Sequence, residues 1–135
     1  MFSKACEYGI RATIHIALQS QQENRSSLKD IAIAIDSPVA FTAKTLQLLA
    51  KNEIINSVKG PKGGYEIPTS KLQTITLSQI VEAIDGDEIY NGCGLGLKKC
   101  NASKPCPLHN EFKTIRDDLK VMLQTTTIQA LANGL

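Results

Sequence analysis

No run of apolar residues in this chain reaches the roughly 18 needed to cross a bilayer. Met1-Phe2-Ser3-Lys4 passes directly into an amphipathic pattern, without the hydrophobic region of a signal peptide. A membrane partner is therefore not expected, and the expected location is the cytoplasm. Charge of one sign is equally scarce. The 15 Lys and Arg residues face 13 Asp and Glu, for a formal net charge of +2, so bulk electrostatics does not announce a nucleic-acid partner and any basic surface must come from local placement. The chain also lacks a Cys-x-x-Cys motif and a nucleophile paired with a base, which argues against a thiol enzyme. Internal repeats and low-complexity tracts are absent, and 135 residues suit one domain with a modest core.

What the chain does have is a concentration of thiols. Three of its four cysteines, Cys93, Cys100 and Cys106, fall in a glycine-rich stretch with Gly92, Gly94, Gly96 and Pro105, and His109 lies three positions beyond the last. Such a backbone can turn several sulfurs toward one point. In a reducing compartment this composition favours metal binding or redox response over a disulfide framework. Soft thiolates suit an iron–sulfur cluster, while three cysteines and one histidine would also satisfy tetrahedral zinc as a structural clamp. Cys6 differs, because it shares an apolar helical face with Ile10 and Ile14 and is expected in the core. His15, between apolar helix residues, is read as structural or exposed.

Upstream of the thiols, the apolar periods change in a diagnostic order. Three- and four-residue spacing of Cys6, Ile10, Ile14, Ala17 and Leu18 predicts a helix from Ser3 to Ser20. After a polar loop, Ser27 with Asp30 opens a short helix over Leu28–Ile35. Asp36-Ser37-Pro38 breaks it; Ser37 is the expected cap of a third helix, which carries Phe41, Thr45, Leu46, Leu48 and Leu49 and ends near Asn52. The β-branched run Ile54–Val58, the turn Gly60-Pro61-Lys62-Gly63-Gly64 and the run Tyr65–Ile67 predict a hairpin. Helix, turn, helix and hairpin make a winged helix. Its expected DNA-facing residues are Val39, Ala40, Thr42, Ala43 and Lys44 on the third helix, aimed at the major groove, with Lys59, Lys62 and Gly63 on the wing.

The rest of the chain supplies a linker over 70–75 and a helix capped by Thr76 and Gln79, carrying Leu77, Ile80, Val81 and Ile84 and stopped by Gly86. A long helix after Pro107 presents Phe112, Ile115, Leu119, Met122 and Leu123 as a broad apolar stripe. The economical partner is a second copy, which gives a homodimer and a palindromic duplex operator; the alternative is packing against the chain's own first helix. The expected fold is mainly α with a small β-hairpin wing. Its parts are a winged helix-turn-helix over 1–86, a cysteine-rich loop over 87–107, and a dimerisation helix with a tail over 108–135.

Several segments together resemble the Rrf2 family of bacterial winged-helix regulators. They are Tyr8-Gly9-Ile10-Arg11-Ala12, Ile31-Ala32 with Ser37-Pro38-Val39-Ala40-Phe41, Leu46-Gln47-Leu48-Leu49, Gly60-Pro61-Lys62-Gly63-Gly64-Tyr65, and Ile75-Thr76-Leu77 through Ala83-Ile84-Asp85-Gly86. The resemblance implies a transcriptional repressor without catalysis. It also implies a 2Fe–2S or 4Fe–4S cluster on Cys93, Cys100 and Cys106 that senses redox state, nitric oxide or iron–sulfur status. The first cysteine interval is one residue longer than is usual in that family. For the fourth ligand, Glu7 falls where nitric-oxide-sensing members place an acidic residue from the opposite subunit, and His109, in Cys106-Pro107-Leu108-His109, resembles the histidine ligand of others; Cys6 and an exogenous donor are the remaining alternatives. The competing readings are a zinc-clamped winged-helix interaction module and a cysteine-thiol redox protein.

Overall fold

The computed structural model describes residues 2–91 and 107–134. Helix α1 (Lys4–Gln21) starts where Ser3, in extended backbone, accepts the Cys6 N–H at 3.0 Å through its hydroxyl. It buries Cys6, Ala12, Ile16 and Ala17 completely. Gly9 sits inside this helix at a propensity cost of about 1 kcal/mol relative to alanine. The packing explains it. A Cβ there would lie 2.1 Å from Ile84 Cδ1 and 3.3 Å from Thr45 Cγ2, so the missing side chain lets two neighbouring helices approach α1.

Those neighbours are α3 (Val39–Lys51), which carries Thr45, and α4 (Leu77–Asp85), which carries Ile84. Helix α2 (Leu28–Ala34) is capped by Ser27, whose hydroxyl accepts the Asp30 N–H at 3.1 Å. The C-cap residue Ile35, just past its end, is buried, and the Ile35 carbonyl accepts a hydrogen bond from the Arg11 guanidinium of α1. Helix α4 opens with the expected capping box, in which the Gln79 side chain accepts the Thr76 N–H at 3.2 Å, and it closes at Gly86 with φ +74°.

The remaining described elements are β1 (Asn56–Val58), β2 (Gly64–Glu66), a 3-10 turn (Thr69–Lys71), α5 (Glu88–Asn91), α6 (His109–Thr125) and α7 (Ile128–Gly134). This is a mainly helical fold with one antiparallel hairpin, paired Asn56 to Glu66, Ser57 to Tyr65 and Val58 to Gly64.

Three expectations need correction. Ser37 does not cap α3: Pro38 occupies the cap position with no side-chain bond, and the Ser37 hydroxyl pairs with that of Thr42. The segment over 70–75 is not a free linker, because Leu72 and Ile75 drop into the core. The C-terminal segment is not one helix with a tail. Thr126 and Thr127 break it, with the Leu77 N–H donating to the Thr126 carbonyl at 3.0 Å and the Ile128 N–H to the Ile75 carbonyl at 2.9 Å. Helix α7 then packs on α1, so Leu123, Ile128 and Ala132 share the core of the N-terminal region.

A shallow groove between α1 and α2 is lined by Arg11, Ile14, His15, Leu18, Ala34 and Ile35. Partial burial lowers the His15 pKa below its ordinary value, against an opposing pull from Asp30. The unfolded chain therefore takes up the proton more readily as pH falls through about 6.5. Stability is expected to decline over that range, and thermal melts of His15→Gln should show a flatter slope between pH 7 and pH 5 than the parent. Parallel slopes would exclude His15 as the source.

Candidate nucleic-acid interface

Helix α3 divides cleanly between an inner and an outer side. Leu46 and Leu49 are fully buried, whereas Val39, Ala40 and Lys44 are exposed and Ala43 is half-buried. The first turn carries no acidic residue, so the positive end of the helix dipole is left uncompensated where an anionic backbone would approach. Thr42 does not belong to the outward set. It is 1 % exposed, its hydroxyl donates to the Pro38 carbonyl at 2.8 Å and also meets Ser37, and it holds the turn before the helix.

Phe41, on the same helix, lies at the rim of the fold and packs edge-on against Tyr8, with ring centroids 5.4 Å apart and an interplanar angle of 76°. Lys4 and Arg11 lie over the same Tyr8 ring, 5.9 and 5.8 Å from its centroid. An aromatic and cationic group on α1 thus braces the start of α3.

The wing presents Lys59 and Lys62 to solvent. Gly60 adopts φ +105°, which favours glycine. Gly63 has an internal role: its N–H donates to the Gly60 carbonyl at 2.9 Å, and a Cβ there would sit 2.2 Å from the Val58 carbonyl oxygen. The turn itself uses this amide, so Gly63 shapes the tip and does not offer a free donor. Sequence reasoning passed over Arg25, which donates to Glu66 Oε2 through Nε and to the Lys62 carbonyl through a terminal nitrogen, both at 3.1 Å. No local pattern signals a contact made across 37 and 41 positions.

Cys93, Cys100 and Cys106 lie outside the described residues. Glu7, in the first turn of α1, is half-buried and pairs with Lys4 at 3.4 Å. His109 is the first residue of α6 and half-buried. Among the described residues no three His, Cys, Asp or Glu side chains gather as a metal site. Cys6 is 0 % exposed, and its thiol is pushed up to about 12, chiefly by burial and then by the charge and hydrogen bond of Asp85. A thiol held neutral in this way is a core group and not a ready thiolate donor.

A helix-turn-helix with a hairpin wing defines the class as a winged-helix DNA-binding regulator. The chain belongs to the Rrf2 family of transcriptional regulators: the family model, described as an iron-dependent transcriptional regulator, matches residues 2–134. It is 29% identical over 135 residues to an HTH-type transcriptional regulator of Aquifex aeolicus (strain VF5), covering 98% of this chain and 92% of that one. It is 27% identical to the HTH-type transcriptional regulator IscR of Pectobacterium carotovorum, covering 94% and 76%. Among solved structures, it superposes on CymR, the global cysteine regulator of B. subtilis, with a TM-score of 0.80 at 22% identity, covering 100% of this chain and 98% of that one. T. potens IscR gives 0.77 at 19% identity, covering 99% and 87%. The family and these relatives are transcriptional regulators and not enzymes, and no described helix is long and apolar enough to cross a membrane.

Proposed function

We propose that the chain is a cytoplasmic homodimeric repressor that binds a palindromic duplex and senses redox state, nitric oxide or iron–sulfur status through a cluster on Cys93, Cys100 and Cys106. The observation that carries the DNA reading is the open, acid-free start of α3, followed in the chain by a hairpin tip with two exposed lysines. Val39, Ala40, Ala43 and Lys44 would meet base edges and nearby phosphates, with Lys59 and Lys62 on the flanking backbone.

The dimer reading rests on α6. Leu108, Phe112, Ile115, Leu119 and Met122 repeat at alternating spacings of four and three, the period of a coiled-coil seam. Leu119 leans on the chain's own core and Phe112 is half-buried, whereas Leu108, Ile115 and Met122 are 41, 56 and 46 % exposed. Such a stripe on one helix is an interface in search of its copy, and two-fold symmetry would match a palindrome.

For the cluster, three thiolates suit iron, and Glu7 or His109 supplies the fourth donor, with a non-thiolate ligand favouring reactivity toward oxygen or nitric oxide. Cys6, buried and neutral, is left out of the set.

Binding by the anaerobically purified protein to a duplex that it selects from a random-sequence pool tests the DNA reading. Lys62→Ala should weaken selected and random duplexes about equally and lower the salt slope by about one charge. Ala43→Glu should instead abolish the preference for the selected sequence while leaving the melting temperature close to the parent's. Parent-like binding by both variants would refute the assignment.

A further inference from the structure

We propose that Arg25, in the loop between α1 and α2, is a positioning residue that orients the wing for DNA and thereby sets how tightly the flanks of the operator are held. This rests on the reading that the wing contacts DNA.

A two-stranded hairpin with three residues per strand is marginal by itself. Here it has three external supports, all from one side. At its root, the Ile67 N–H donates to the buried Ser20 hydroxyl at 2.9 Å. At mid-strand, Ser26 and Tyr65 exchange both backbone hydrogen bonds, at 3.0 and 2.8 Å, so the α1–α2 loop becomes a third edge beside β2. At the tip, Arg25 reaches the turn, with one guanidinium nitrogen on the Lys62 carbonyl and another on the Glu66 carboxylate. The loop and β2 run so close that a Cβ on Gly64, at φ +138°, would lie 2.8 Å from the Ser26 carbonyl oxygen and 3.3 Å from Arg25 Cβ.

The Arg25 side chain is 40% exposed and that of Glu66 33%, so this ion pair adds little to overall stability. Its effect is geometric. The planar guanidinium spans a backbone carbonyl on the tip and a carboxylate on the returning strand, which a lysine ammonium cannot do with the same fixed spacing. It therefore fixes the carbonyl of the residue whose ammonium is aimed at phosphate.

The sign of one substitution separates positioning from direct phosphate contact. Glu66→Ala removes a negative charge from a DNA-binding region, and by charge alone it should tighten binding. If Arg25 acts through Glu66, the variant should instead weaken it. On the duplex selected by the parent, Arg25→Ala and Glu66→Ala are each expected to lose roughly three- to ten-fold in affinity, with the salt slope unchanged. The double variant should lose no more than the worse single one. Arg25→Lys should recover only part of the loss, and hydroxyl-radical protection at the operator flanks should fade while protection at its centre persists. Melting temperatures within a few degrees of the parent's keep the comparison one of binding. The proposal is overturned if Glu66→Ala binds as tightly as the parent or more tightly, or if Arg25→Ala lowers the salt slope by a full charge. Lys62→Ala, measured alongside, tells the two failures apart: if it weakens binding while Glu66→Ala does not, only the positioning role fails, and if neither changes binding, the wing reading fails and this inference with it.

Discussion

Ile115→Glu is expected to turn a dimer into a monomer and to cost about two orders of magnitude in affinity for a palindromic duplex. The position matters. Leu119 lies on the same stripe but packs partly against the chain's own core, so a charge there would damage folding and association together. Ile115 is 56 % exposed in the single chain, and a carboxylate placed on it is harmful only if a partner covers it. Buried in an apolar seam without a counter-charge, that carboxylate opposes association by several kcal/mol. Separated subunits then bind each half-site independently and lose the gain of a linked second contact, commonly a hundredfold or more. Lys113→Ala on the exposed side of α6, where Lys113 pairs with Asp117 at 2.9 Å, should leave assembly unchanged because an exposed ion pair contributes little. Sedimentation at micromolar concentration is the measurement, and a monomeric parent would remove the dimer and the palindrome with it.

What was legible in the sequence is what depends on short-range periodicity. The limits of α1, α2 and α3 were readable because apolar residues recur at helical spacing between polar breaks, and the hairpin because β-branched and glycine-rich runs alternate over a dozen positions. Contacts that join distant segments were not. Thr42 looked like a groove residue because it is small, polar and near a helix start, yet its hydroxyl closes the turn with Ser37 and Pro38. Leu72 and Ile75 looked like linker residues, since a pair of isolated apolar positions has no period to betray a core. The break at Thr126 and Thr127 was missed because two threonines carry no glycine or proline signal, although the backbone bonds of Thr126 to Leu77 and of Ile128 to Ile75 decide where α7 goes. Arg25 is the extreme case, a loop cation whose partners follow far along the chain. The thiol pattern was visible in the spacing alone, and that spacing names candidate ligands without arranging them in space.

Replacing any one of Cys93, Cys100 and Cys106 by serine is expected to abolish cluster retention in protein purified and reconstituted without air. Three thiolates form most of the proposed donor set, and a neutral hydroxyl in place of one leaves an iron without a strong soft ligand, so the loss should approach completeness in iron and sulfide content and in visible absorption. Cys6→Ser provides the contrast. Its thiol is fully buried and held neutral, so the substitution should alter stability but leave the absorption spectrum unchanged. The fourth ligand is then separable by two further variants. Glu7 stands in the first turn of α1 and already pairs with Lys4, whereas His109 opens α6 directly beyond the cysteine-rich segment. If the carboxylate is the ligand, Glu7→Ala should shift the visible bands and change the rate of reaction with nitric oxide while His109→Ala behaves as the parent; if the imidazole is the ligand, the pattern reverses. Exchange of an imidazole for water alters the donor atom bound to iron from nitrogen to oxygen, so the shift should be larger in that case. Unchanged spectra and rates in both variants would leave an exogenous ligand in the fourth position. A zinc-only metal content in the anaerobic parent, with no sulfide and no visible absorption, would overturn the cluster itself in favour of a structural clamp.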